Sequence, residues 1–265
     1  MSSEEPNFCF PVRKLENGLV KLVPFVRSVH PQLYFDGGRD HPELFRFLTY
    51  GPFPDFAELQ DTFDDKFFRD PCTMMFAITD KTRSQDEETE GDASSFAGAI
   101  GLLNASPENS SIEIGHVLIL PSFQRTHVAA NAVGLLLGYC LEGPGEGGLG
   151  LRRVQWQAHA SNARSIGLAQ KMGFKLEGYL RWQRVLIPGK EGGERGDGRG
   201  RGRTDAMLSI CWDDWEQKES RKECKRQWSC ESDTFCILFS GPCRLHSDRD
   251  QMHNTTSSEL ESPFF

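Results

Sequence analysis

The sequence predicts an α+β fold with a mixed, mostly antiparallel central sheet that is flanked by helices. The main observation is the order of the predicted elements, which is β, α, α, β, β, β, α, β, α, β, β. A doubly wound fold needs a regular alternation of strands and helices, which this order lacks. The second observation is composition, because the 265 residues are 38% hydrophobic and 11% aromatic, enough to bury a core.

The first half of the predicted domain contains three strands and two helices. Pro24 ends the first strand, and Asp55 is a favourable N-cap for the second helix. Apolar side chains recur after Asp55 at helical spacing, and we interpret them as core residues: Phe56, Leu59, Phe63 and Phe67. The strands are predicted at 19–23, 73–79 and 96–103, and the helices at 40–48 and after Asp55.

The central stretch, residues 112–141, has the order strand, turn, helix. Residues 112–120 have strong strand propensity and are bounded by Pro121. A polar turn follows, and the small residues and leucines from Ala129 to Leu141 predict a helix. A helix N-terminus presents unpaired N–H groups and the positive end of its dipole. The stretch therefore predicts either a phosphate-binding turn or an ordinary strand-to-helix connection.

The second half of the domain adds three strands and one helix. The helix covers 162–172, and Gly173 stands where a C-cap is expected. The strands are predicted at 151–158, 174–187 and 204–212. The domain thus spans residues 18–215, with mobile loops expected at the charged segment 81–94 and at the glycine- and arginine-rich segment 189–203.

The two termini are predicted to lie outside this domain. Residues 1–17 are a polar lead-in, and residues 216–265 are a charged, cysteine-bearing extension that we expect to be largely disordered. The N-terminus lacks the features of a signal peptide, and no apolar run approaches the ~20 residues of a membrane span. We therefore expect a cytoplasmic protein that does not associate with membranes. None of the eight cysteines forms a C-x-x-C pair, so reduced thiols and no metal are expected.

Three polar residues are candidates for chemistry. Glu113 lies on the central strand, where a carboxylate can act as a general base or serve only as a salt-bridge partner. Asn162 and Ser165 begin a predicted helix, and their spacing fits a helix cap as well as a binding site. His116 and His159 are weaker candidates for a base.

The turn after the central strand resembles a known signature. Pro121-x-x-Gln124-x-x-His127-x-Ala129 is similar to the acetyl-CoA signature of the GCN5-related N-acetyltransferases (GNAT), Gln/Arg-x-x-Gly-x-Gly/Ala. Further blocks resemble the RimJ/RimL-like branch of ribosomal-protein N-acetyltransferases: Leu151-Arg-Arg-Val-Gln-Trp156, Asn162-Ala-Arg-Ser165, Met172-Gly-Phe174, Glu177-Gly178 and Asp205-Ala-Met-Leu-Ser209. The likeness covers residues 18–215. His127 stands where the family usually has glycine, so either the backbone is helical there and the ring adds a contact, or cofactor binding is weaker.

The resemblance implies acetyl-CoA as co-substrate and assigns roles to particular residues. The pantetheine arm would pair with the backbone of Val117 and Ile119, on a strand that splays from its neighbour, and would also contact Asn162. The diphosphate would bind the turn and helix start formed by Gln124, Arg125, Thr126, His127, Val128 and Ala129. Ser165 would assist the departing thiolate, and Glu113 would act as general base.

These features predict an acetyl-CoA-dependent N-acetyltransferase whose amine attacks the thioester directly, without a metal. The acceptor is a primary amine of a protein N-terminus or of a small molecule. The alternative is a CoA-binding module without catalysis, which the histidine at position 127 favours. Residues 189–203 resemble an RNA-binding tract, but they contain no aromatic residue to stack a base, and the net charge is −8. Nucleic acid is therefore not an expected partner, and the oligomeric state is not predicted.

Overall fold

A computed structural model describes residues 6–83, 92–196, 198 and 200–217. Parts of several predictions fall outside the described residues: 1–5 of the lead-in, 84–91 of the first loop, 197 and 199 of the second loop, and 218–265 of the extension. In the described ranges, no helix is both long and apolar enough to cross a membrane.

The described chain is built on an eight-stranded sheet with the strand order β1-β2-β3-β4-β5-β6-β8-β7. The strands are β1 (Leu15–Glu16), β2 (Val20–Pro24), β3 (Met74–Asp80), β4 (Phe96–Ser106), β5 (Ser111–Ile119), β6 (Arg153–His159), β7 (Lys175–Leu186) and β8 (Arg201–Cys211). The α-helices are α1 (His30–Gly38), α2 (Phe56–Phe63), α3 (Val128–Leu141), α4 (Ala163–Lys171) and α5 (Trp212–Glu216). Neighbouring strands are antiparallel except β5 and β6. The predicted α+β fold, with a mostly antiparallel sheet and flanking helices, is confirmed.

Helix α3 forms the hydrophobic centre of the fold. It carries no charged side chain, and a helix that is apolar on all sides is stable only when it is buried. It packs against β1, β2, β3, β5 and β6. Val133, Leu136 and Cys140 are among its fully buried residues. Because only the short connection 120–127 separates α3 from β5, the N-terminus of the helix lies near the end of that strand.

The prediction for the first helix is wrong. The segment 40–48 contains only a short 3-10 turn, Pro42–Phe45, whereas α1 occupies a segment predicted to be a loop. Local signals for α1 are weak, since its last two residues are glycines. Tertiary contacts stabilise it instead: Tyr34 is completely buried, and the Nδ1 atom of His30 accepts the Val26 N–H at 2.7 Å.

Helix α2 begins where the sequence predicts. The Asp55 carboxylate accepts the N–H of Glu58 at 2.9 Å and so caps the helix. The recurring apolar residues lie in or against the core as expected, with Phe63 fully buried and Phe67 nearly so. The ring centroids of these two phenylalanines are 4.9 Å apart.

The second predicted loop is partly structured. The sequence assigns 201–203 to the loop 189–203, but β8 already begins at Arg201. Gly193 and Gly202 exchange two backbone hydrogen bonds of 2.9 and 2.8 Å. The connection between β7 and β8 is therefore a paired hairpin over part of its length.

Candidate active site

Strands β5 and β6 diverge and leave an opening in the sheet. They are paired in parallel at only three positions, from Ser111 with Arg153 to Glu113 with Gln155. Beyond that point β5 stays with β4, while β6 is paired with β8 as far as His159. The splay that the resemblance implies is thus present, and it begins directly after Glu113.

A β-bulge shapes β5 beside the opening. Gly101 pairs with Gly115 and Ala99 pairs with Leu118, so two β5 residues, His116 and Val117, lie opposite one residue of β4. His116 has a φ of 49°. The close approach of β4 here requires glycine at position 98, because a Cβ atom there would lie 2.0 Å from the Leu118 carbonyl oxygen.

The bulge leaves backbone groups of β5 facing the opening. The Leu120 N–H donates to Ala97 of β4 at 2.9 Å, so by alternation Ile119 directs its N–H and C=O groups away from β4. Val117 lies in the bulge beside it and has no ladder partner on β4. The Ile119 carbonyl already accepts the side-chain amide of Gln124 at 3.0 Å. The remaining groups can pair with an amide-bearing ligand as a neighbouring strand does.

The turn before α3 presents N–H groups at the end of the opening. Arg125 has a φ of 61°, so an exposed arginine takes the left-handed conformation that glycine often supplies in such turns. The Thr126 hydroxyl donates to the Phe123 carbonyl at 2.6 Å and accepts the Val128 N–H at 3.3 Å. The first hydrogen bond inside the helix comes from Asn131, so the N–H of Ala129 precedes the helical ladder. This end of α3 therefore has the donors and the dipole that an anion needs.

His127 adopts the helical alternative that the sequence left open. Its φ of −64° and ψ of −19° need no glycine. Its ring is bound to the end of β3, with Nε2 3.2 Å from Oδ1 of the buried Asp80. Its carbonyl accepts the side-chain amide of Asn131 at 2.8 Å, and Asn17 in turn donates to Asn131 at 2.7 Å. The histidine thus fixes the helix start to the sheet.

Glu113 is a buried carboxylate at the point of divergence. It is 2% exposed, and its Oε2 accepts the side-chain amides of Asn104 at 2.7 Å and Gln157 at 2.9 Å. Burial raises the pKa of Glu113 above its ordinary value, and the hydrogen bond from Asn104 opposes that rise. A carboxylate with a raised pKa is a better proton acceptor than one on the surface.

Sequence reasoning missed a charged cluster beside Glu113. Asp205 on β8 is completely buried between Arg203 and Arg184, and its Oδ2 lies 3.4 Å from Nε of Arg184. Arg184 also donates to Gln157 at 3.4 Å. Of these residues only Asp205 lies in one of the sequence blocks that resemble the family, and the resemblance assigns it no role. Their proximity depends on the pairing of β6, β8 and β7, which no local pattern reveals.

Ser165 lies at the start of α4 beside β6. The Asn162 side chain accepts the Ser165 N–H at 3.1 Å, so Asn162 is the N-cap of this helix. The buried Trp156 donates its indole N–H to the Ser165 hydroxyl oxygen at 3.0 Å. Because that oxygen is used as an acceptor, the hydroxyl proton remains available for donation to another group.

Glu113 and Ser165 lie on opposite faces of the sheet. Glu113 pairs with Gln155 and bonds to Gln157, so all three share one face. Trp156 faces the other way, and its indole N–H donates to the Ser165 hydroxyl on that face. The opening therefore has a proton acceptor on one face and a hydroxyl donor on the other.

Hydrogen bonds from two basic side chains hold the segment 45–50 beside the face that carries Glu113. The buried Lys190 donates to the carbonyl oxygens of Phe45 at 2.5 Å and Tyr50 at 3.2 Å. Arg203 donates to the carbonyl of Phe47 at 2.8 Å. These bonds join the connection between α1 and α2 to the β7–β8 hairpin and fix one wall of the opening.

The two weaker histidine candidates are poorly suited to act as bases. Burial lowers the pKa of His116 to about 3, and its ring packs on Tyr50 and Phe67 with centroid distances of 5.2 and 4.9 Å. Burial also lowers the pKa of His159, whose Nδ1 accepts the N–H of Ser161 at 3.0 Å. Both histidines therefore have packing or hydrogen-bonding roles in the fold that do not involve proton transfer.

A group of possible metal ligands lies away from the opening, at the end of β8. In the part of the chain that the structure describes, the ligand atoms of Cys211, Asp213 and Asp214 lie within 4.8 Å of one another. Asp214 already forms a salt bridge with Lys175 and accepts the Cys211 N–H at 3.3 Å. Its carboxylate therefore has protein partners.

Comparisons with known proteins identify one family and several structures with a similar fold. Residues 20–175 match the family model described as an acetyltransferase (GNAT) domain. A GCN5-related N-acetyltransferase from Brucella melitensis is 24% identical, with a TM-score of 0.66 over 83% of this chain and 88% of its own. A probable GNAT acetyltransferase from Chromobacterium violaceum is also 24% identical, with a TM-score of 0.64 over 82% of this chain and 94% of its own.

A more distant structural neighbour was solved with ligands. The spermidine N-acetyltransferase from Vibrio cholerae, in complex with CoA and spermine, is 17% identical, with a TM-score of 0.54 over 76% of this chain and 99% of its own. At these identities the likeness concerns the fold. Comparison with curated protein sequences gives no significant match.

Proposed function

This chain belongs to the GNAT acetyltransferase domain family, and from that premise we propose that it transfers the acetyl group of acetyl-CoA to a primary amine. The observation that carries the proposal is the opening between β5 and β6, with Glu113 on one face and Ser165 on the other. An amine that attacks from one face and a thiolate that leaves toward the other need these two groups on opposite sides.

Acetyl-CoA binds along β5 and at the start of α3. Its diphosphate accepts N–H groups of the turn from Gln124 to Ala129, aided by the helix dipole. Its pantetheine amides pair with the backbone of Val117 and Ile119. Asn162 caps α4 with its carbonyl oxygen and keeps its amide donors for the same arm.

The reaction is a direct displacement at the thioester. The amine loses a proton to Glu113, directly or through water, and its nitrogen forms a bond to the acetyl carbon. A backbone N–H of β5 stabilises the developing negative charge on the carbonyl oxygen. The carbon–sulfur bond breaks, and Ser165 donates a hydrogen bond to the departing thiolate. No covalent enzyme intermediate is formed.

The acceptor is the amine of a protein N-terminus or of a small molecule. Sequence blocks that resemble the RimJ/RimL-like branch favour a protein N-terminus, whereas the fold shared with the spermidine enzyme is compatible with a small polyamine. Both acceptors present a protonated amine that needs a base. They therefore share the chemistry assigned to Glu113.

Calorimetry with acetyl-CoA, followed by turnover against peptides, polyamines and amino sugars, tests this function. We expect Ser165→Ala to lower kcat by at least about tenfold while acetyl-CoA still binds. The matched control is Ser161→Ala, an exposed serine just before the same helix. Binding without transfer to any amine would support the CoA-binding module instead. Absence of acetyl-CoA binding would contradict both functions.

A further inference from the structure

Two cysteines that are distant in sequence lie side by side at the start of β3. The Cys9 N–H donates to the carbonyl oxygen of Pro71 at 2.9 Å, which brings Cys9 next to Cys72. The neighbouring Cys72 thiol is close enough to raise the pKa of the Cys9 thiol. Cys9 is exposed and Cys72 is half-buried, and both are free thiols. The pair is therefore open to reagents from solution.

Both backbones are held in place around this pair. On the lead-in side, the Asn7 side chain donates to the Arg69 carbonyl at 3.3 Å, and the Tyr139 hydroxyl donates to the Pro11 carbonyl. On the other side, the Cys72 N–H donates to Asp70, and the Cys72 carbonyl accepts an N–H from β4 at 3.1 Å. These hydrogen bonds hold the two backbone segments that carry Cys9 and Cys72 next to each other.

We propose that Cys9 and Cys72 are a redox-modification site, at which a low-molecular-weight disulfide such as oxidised glutathione converts the two thiols into an intramolecular disulfide. This inference is independent of the acetyltransferase function. The two cysteines lie where β3 begins. The turn before α3 lies at the opposite end of that strand, beside Asp80.

The exchange proceeds in two balanced steps. The Cys9 thiolate, the more exposed of the two, attacks one sulfur of oxidised glutathione and releases one glutathione thiolate. The Cys72 thiolate then attacks the Cys9 sulfur of the mixed disulfide and releases the second glutathione. Two protein thiols are oxidised, one glutathione disulfide is reduced, and the two thiol protons end on the two glutathione molecules.

The physical environment sets the conditions for this exchange. Burial, and next the neighbouring Cys72 thiol, raise the pKa of Cys9. The thiolate is the nucleophile, so we expect the disulfide to form slowly at neutral pH and faster at alkaline pH. In contrast, Cys140 is completely buried in α3, and burial raises its thiol pKa strongly. Cys140 is therefore the unreactive reference within the same chain.

Peptide mapping of the full-length protein tests the proposal. The four tail cysteines, Cys224, Cys230, Cys236 and Cys243, are first replaced by serine to simplify the map. After incubation with oxidised glutathione, trypsin yields peptides 1–13 and 70–81, which contain Cys9 and Cys72. We expect these two peptides to be joined by a disulfide that a reductant cleaves. The joined pair should be absent in Cys9→Ser and Cys72→Ser and retained in Cys211→Ser.

Thermal unfolding provides a second measurement. The disulfide closes a long loop that contains α1, α2 and the first two strands, so the oxidised protein should melt roughly 5 to 10 °C higher than the reduced protein. Cys9→Ser should melt at the same temperature with and without the oxidant. Glutathionylation of Cys9 that never proceeds to the 1–13/70–81 link, or a link that lowers the melting temperature, would overturn the proposal.

Discussion

Replacing Glu113 by glutamine tests the proposed acid–base chemistry with almost no change of shape. The glutamine oxygen can still accept the two amides that donate to Glu113, from Asn104 at 2.7 Å and Gln157 at 2.9 Å. The variant should therefore fold and bind acetyl-CoA. It cannot accept a proton, and loss of a general base typically lowers kcat/KM by about 100-fold to 10,000-fold, or about 3 to 5 kcal/mol of transition-state stabilisation.

The pH profile separates this effect from a structural one. Burial raises the pKa of Glu113, and only the ionised form is a base. Activity of the unmodified protein should fall as pH drops through that raised pKa. In Glu113→Gln this acid limb should disappear, leaving the steady rise that follows deprotonation of an amine with a pKa of about 10.

Release of CoA is best followed by chromatography, because accessible thiols of the chain such as Cys9 would react with a thiol reagent. The matched control is Glu108→Gln, an exposed carboxylate in the turn between β4 and β5. It should keep the activity and the pH profile of the unmodified protein. If Glu113→Gln keeps the same kcat/KM and the same acid limb, Glu113 has no part in proton transfer.

The remaining predictions concern residues whose contacts stabilise the opening between β5 and β6. His127→Ala removes the contact with Asp80 and should lower the free energy of unfolding in urea by about 1 kcal/mol. The affinity for acetyl-CoA should change by less than about threefold. A large gain in affinity would mean that the ring obstructs the diphosphate. Lys190→Met leaves two buried carbonyls without their donor and should lower the free energy of unfolding by about 2 kcal/mol. It should also raise KM for the amine but not for acetyl-CoA. Equal changes in both KM values would contradict a role of the segment 45–50 in binding the amine. Asn162→Ala should lower stability by about 0.5 to 2 kcal/mol through loss of the cap, and an unchanged melting temperature would refute that role.

Local patterns in the sequence predict the elements whose signals are strong and short-range. The strand predicted at 112–120 and the helix predicted at 129–141 each begin one residue earlier in the structure. Strand propensity, a bounding proline and a run of leucines act within a few residues, so they are readable without the fold. Helix α1 was missed because contacts from other elements, and not its own propensity, stabilise it.

The sequence by itself determined the α+β fold and the residues offered for the site. Residue types, spacing and a family resemblance identify the candidates for the site, which are Glu113, Ser165 and the turn before α3. Only the tertiary structure decided that Glu113 and Ser165 lie on opposite faces of one opening. It also decided that His127 is helical and bound to Asp80. The physical reason is that strand register and divergence arise from pairing between distant segments, which one segment's pattern cannot encode.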